Sequence, residues 1–76
     1  MTYLNMMVPG QSGRVVGFSD DSKMVRRLYE LGIQPGRSII YLRNAPFRDP
    51  LEVQVGYNLI TLRKSEASLI AIEVDE

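Results

Sequence analysis

The sequence contains no cysteine and no histidine among its 76 residues. Without cysteine there is no disulfide framework, zinc ribbon, iron–sulfur cluster or thiol nucleophile. Without histidine the commonest general base and metal ligand is gone, and a Ser-His-Asp triad cannot be assembled. Any metal would have to be held by carboxylates, carbonyls or water, or by methionine at a soft site. The longest apolar runs fall far short of the ~20 residues that span a bilayer. No charged stretch leads into an apolar segment, so no signal peptide is read. The chain is therefore expected to be cytoplasmic and not membrane-spanning.

Net charge is absent as well, with nine basic residues against nine acidic ones. The balance hides an asymmetry. Up to Arg48 there are seven basic residues against three acidic, and from Asp49 onward two against six. A nucleic-acid-binding domain is usually strongly basic overall, so the simpler expectation is that the basic half pairs with the acidic half in the fold.

Apolar residues make up 45% of the chain, an ordinary globular value. A chain of this length buries roughly 60% of its unfolded surface, enough for one modest core. One domain over residues 1–76 is expected, with no repeat and no linker.

Pro9-Gly10 ends an apolar opening stretch and marks a turn. Gly13 to Phe18 is short and β-branched, a strand in which Gly17 suggests a bulge or a close backbone approach. Ser19-Asp20-Asp21-Ser22 is a run of helix-capping residues. Behind it Met24, Val25, Leu28 and Leu31 form one helical stripe, with Lys23, Arg26, Arg27 and Glu30 opposite. Gly32 is placed to cap that helix in the left-handed conformation. Pro35-Gly36 suits a type II turn. Strands are then read over 37–44, 51–55, 59–63 and 69–74, with a hairpin-like turn at Gly56-Tyr57-Asn58 and a single turn at Lys64 to Ala67. The resulting class is all-β with one short helix: a small, partly closed antiparallel barrel of five strands, the helix lying between the first and second. The periods predict a core of Val16, Phe18, Val25, Leu28, Leu31, Ile39, Tyr41, Leu51, Val53, Val55, Ile60, Leu62, Ile70 and Ile72.

Little in the sequence supports catalysis. The glycines from Gly10 to Gly17 do not form a phosphate loop, because a strand runs through the last of them and an acidic cluster precedes the helix. Ser12, Ser38 and Ser65 have no base to activate them. Asp49, Glu52 and Glu66 show no spacing that suits paired-carboxylate chemistry. The chain is expected not to be an enzyme; no cofactor is certain beyond a weakly held divalent metal (iron), for which Asp49 and Glu52 are the weak candidates. The remaining signal is the loop Ala45-Pro46-Phe47-Arg48-Asp49-Pro50, stiffened by prolines at both ends. Phe47 with Arg43 and Arg48 has the composition of a binding hot spot. Two outcomes are open for Phe47: an exposed anchor, or a ring tucked onto the barrel. Arg26 and Arg27 on the polar helix face are the further candidates for partner contact.

Four stretches in order resemble the ferrous iron transport protein A (FeoA) family: Leu28 to Gly36 with its Leu-Gly-x-x-Pro-Gly ending, Ala45 to Pro50, Leu62-Arg63-Lys64-Ser65-Glu66-Ala67, and Ile70-Ala71-Ile72. The resemblance runs from about Val8 to Val74. It implies a Src-homology-3-like (SH3-like) barrel. It also implies a cytoplasmic accessory of ferrous iron uptake, a monomer or weak homodimer, that docks on the cytosolic domain of the GTP-binding membrane transporter FeoB. A second implication, from a different class, is a divalent transition-metal-binding or metal-sensing domain. Such a domain stands at the C-terminus of diphtheria toxin repressor-type regulators.

Overall fold

The structure, a computed structural model, describes residues 1–19 and 22–75. Its first eight residues have no apolar period, and they form no long element. Thr2–Tyr3 (β1) pairs with the end of the chain, and Leu4–Met6 closes one 3₁₀ turn in which the Met7 N–H donates to the Leu4 carbonyl at 3.1 Å. The turn buries Leu4 and Met7 completely. Periodicity predicts no core residue in this segment, and β1 makes six strands where five were expected.

Ser12–Phe18 (β2) carries the bulge that Gly17 suggests: its register against the last strand shifts between Val15 and Gly17. The extra residue reverses the inward parity. Gly13 and Val15 face in, Val16 is 47% exposed, and Phe18 sits at the rim of the core. This corrects the expectation that Val16 is buried. Gly13 is required by contact, since a Cβ there would lie 2.5 Å from the Glu73 carbonyl oxygen.

Ser22–Glu30 (α1) buries Leu28 and exposes Lys23, Arg26, Arg27 and Glu30, as its stripe predicts. Val25 is only half-buried and lies outside the core cluster, a second correction. The capping expected of Asp20 and Asp21 lies outside the described residues. The helix ends in a Schellman arrangement: the Gly32 N–H donates to the Tyr29 carbonyl at 3.0 Å and the Ile33 N–H to the Leu28 carbonyl at 2.9 Å. Gly32 has φ +93°, the left-handed value a side chain would disfavour. The accompanying apolar contact of this motif explains why Ile33, read as a turn residue, is fully buried beside Leu28. The Pro35-Gly36 turn follows, closed by the Arg37 N–H donating to the Gln34 carbonyl at 3.0 Å.

Ser38–Asn44 (β3), Leu51–Val55 (β4) and Asn58–Leu62 (β5) form an antiparallel meander. Lys64–Ala67 (α2) is one helical turn, and Ile70–Val74 (β6) returns to lie between β1 and β2. The strand order is β1-β6-β2-β3-β4-β5, all antiparallel, with α1 between β2 and β3. The 3₁₀ turn after β1 packs against α2. One core joins inward residues of every long strand, Tyr41, Val53, Leu62 and Ile72 among them, to Leu28 and Ile33.

Candidate docking surface

The Ala45–Pro50 loop is held by contacts at both ends. The Ala45 N–H donates to the Pro50 carbonyl and the Arg48 N–H to the Ala45 carbonyl, each at 2.9 Å. At its start the Asn44 side-chain amide donates to the Tyr41 hydroxyl at 2.6 Å, satisfying the polar end of a buried phenol. Phe47 and Arg48 both adopt left-handed backbone angles, φ +67° and +63°. For residues other than glycine this is a strained conformation, stabilised here by the surrounding bonds. The Asp49–Pro50 peptide is cis.

This geometry sends the loop's side chains in different directions. The Arg48 guanidinium turns inward and donates to the carbonyls of Asn5, at 3.3 Å, and Met7. Those carbonyls belong to the end of the 3₁₀ turn, where no further turn supplies donors. The Asp49 carboxylate accepts the Lys64 N–H at 3.0 Å, at the start of α2. Phe47 is left at the tip, 95% exposed, rather than tucked onto the barrel.

Two hollows lie beside the loop and share Pro50 and Thr61. The nearer, about 250 Å³, is bordered by Arg43, Asn44, Ala45 and Glu52, and Arg43 pairs with Glu52 at 3.4 Å. The farther, about 300 Å³, is bordered by Arg27, Leu62, Arg63 and Glu66. Arg27 pairs with Glu66 at 3.5 Å. Each pair joins an arginine of the basic half to a glutamate of the acidic half, as the charge distribution suggests. Arg43 and Arg27 thus border adjoining hollows, and Phe47 stands on the loop that begins at Ala45, on the rim of the nearer one. Arg26 is exposed on α1 but borders neither hollow.

Glu66 is the residue that sequence reasoning underrated. It is 4% exposed, and besides Arg27 it accepts the Arg63 backbone N–H through Oε1 at 2.9 Å. The spacing of Arg63 and Glu66 suggests pairing between their side chains. The structure gives Glu66 the Arg63 backbone and the guanidinium of Arg27. That leaves the Arg63 side chain exposed at the end of β5.

The weak metal candidates are drawn into these contacts, Asp49 on Lys64 and Glu52 on Arg43. Among the described residues no three carboxylate, cysteine or histidine side chains lie together. Among the described residues no helix is long and apolar enough to cross a membrane.

Comparison with known proteins agrees with the fold. The FeoA domain family model matches residues 2–74. The iron(II) transport protein A of Clostridium thermocellum is 36% identical, with a TM-score of 0.89 over 96% of this chain and 45% of that one. The FeoA of Stenotrophomonas maltophilia, a prokaryotic SH3 domain protein solved with zinc, is 30% identical, with a TM-score of 0.84 over 96% of this chain and 91% of that one. A manganese-dependent transcriptional repressor shares the fold at 23% identity, with a TM-score of 0.87 over 93% of this chain and 35% of its own.

Proposed function

The chain belongs to the FeoA domain family, and on that premise we propose that it is a non-enzymatic, cytoplasmic accessory of ferrous iron uptake that docks on the cytosolic domain of a FeoB-type, GTP-binding transporter. Membership of the family supports the role in ferrous iron transport. The docking reading rests on one observation above the others: Phe47 is 95% exposed on a loop whose shape is already held by bonds at Ala45, Arg48 and Asp49. An exposed aromatic on an ordered loop offers a large contact area with little ordering entropy left to lose on binding. Arg43 and Arg27 border the adjoining hollows, so an acidic partner face would be complementary. Arg48 acts one step back, holding the loop in position.

Calorimetric titration of the transporter's cytosolic domain into the chain tests the reading. Saturable binding that weakens as salt is raised is the expected result. Absence of binding at the highest attainable concentrations would reject it. Titration of the isolated chain with ferrous iron is the counterpart: submicromolar binding would favour a metal-sensing role over docking.

A further inference from the structure

The sheet ends at β5, and this edge is unusually open. β4 and β5 pair through five consecutive positions with no register shift, joined by the two-residue turn Gly56-Tyr57. In such a hairpin the pair next to the turn exchanges hydrogen bonds and the pairs then alternate. Asn58, Ile60 and Leu62 therefore bond to β4. The N–H and C=O groups of Leu59 and Thr61 point away from it. Among the described residues neither has a backbone partner on that side.

Exposed edges are normally blunted by proline, lysine, a bulge or extreme shortness. β5 has none of these: its residues are Asn58-Leu59-Ile60-Thr61-Leu62, and Leu59 is 66% exposed. The opposite edge, β1, is only two residues long. The free run of β5 leads into the larger hollow. There Glu66 is buried and its carboxylate is taken up by the Arg63 N–H and by Arg27, whereas the guanidinium groups of Arg27 and Arg63 stay exposed. The charge offered at the end of the edge is therefore positive.

We propose that the free edge of β5 receives an extended segment of a protein partner as an added strand, with carboxylate side chains of that segment seated against Arg63 and Arg27. Main-chain bonds to Leu59 and Thr61 would supply the register, and the arginines the preference for acidic residues. The proposal rests on the docking reading above and specifies how the partner is held.

Amide hydrogen exchange on the isotope-labelled chain tests it, with two probes used separately. One is a synthetic seven-residue peptide of alternating valine and glutamate, and the other is the transporter's cytosolic domain. Added-strand binding slows exchange at Leu59 and Thr61 with either probe. Thr61→Pro removes one edge donor while leaving the β4 ladder intact, and it should weaken binding at least tenfold. Arg63→Glu retains the backbone N–H and provides a second variant should the proline disturb the strand. It should weaken binding at least fivefold. If the cytosolic domain binds while Leu59 and Thr61 exchange as in the free chain, the edge proposal is wrong and the docking reading stands. If the peptide protects these amides and the cytosolic domain does not bind at all, the edge takes an acidic strand and the docking reading is wrong. If neither probe protects them, or if sedimentation shows two copies of the chain pairing through β5, the acidic-segment proposal is overturned.

Discussion

In the Ala45–Pro50 loop the Arg48 guanidinium turns inward; across Pro50, beside α1, the Arg63 guanidinium stays exposed. Arg48 and Arg63 are the same residue type, each next to a turn. Arg48 lies near backbone carbonyls left without donors at the end of the 3₁₀ turn, and its guanidinium bonds to them. At Arg63 the equivalent need is a free N–H, which Glu66 meets, so the guanidinium is not drawn in. Orphaned backbone groups, more than the count of charges, decide which arginines remain for a partner. The same difference leaves Phe47 exposed: the residues around it are occupied in holding the loop, and the ring has no place in the core.

Both regions depend on α1 and the core, so the largest expected effect removes the support common to them. Leu28→Ala deletes a fully buried side chain that packs with Ile33 behind the helix end. The expected loss is about 2–5 kcal/mol, read by urea unfolding. A variant that unfolds like the parent would place the buried face of α1 elsewhere.

Arg48→Ala and Arg63→Ala sharpen the contrast directly. The first leaves two carbonyls short of a charged donor and should destabilise by about 1.5–3 kcal/mol. The second removes an exposed side chain and should stay within about 0.5 kcal/mol of the parent. Equal effects on thermal unfolding would erase the distinction between the inward and outward arginines. Asp49→Ala is expected in between, at about 1 kcal/mol, because the Lys64 N–H loses its acceptor. Asp49→Asn keeps an oxygen there and should recover most of that loss.

What was legible in the sequence follows the range of the interaction. Gly32, Gly36 and the Gly56 hairpin are local, and the structure places each at positive φ as its neighbours imply. Strands with a clean period of two, such as Leu51–Val55, show their inward residues directly. The bulge at Gly17 was visible, but it reverses which of Val15 and Val16 faces in, and a period carried across it fails. Leu4 and Met7 carry no period because a single 3₁₀ turn buries them. The inward role of Arg48 was not legible, because its acceptors Asn5 and Met7 lie more than forty residues earlier in the chain. For the same reason the sequence does not link Arg27 to Arg43, which the fold brings to hollows sharing Pro50 and Thr61.

The smallest change in stability carries the central claim. Phe47→Gly removes the exposed ring and relieves a left-handed angle that disfavours side chains by about 1–2 kcal/mol. Glycine's extra freedom in the unfolded chain offsets about 0.4–1 kcal/mol of that gain. The variant should therefore melt at or slightly above the parent temperature. The decisive measurement is its affinity for the transporter's cytosolic domain, taken beside that melting curve. Unchanged or higher stability with binding at least tenfold weaker is the expected result, the mark of an anchor kept for a partner. Binding equal to the parent, by a variant equally stable, would contradict it.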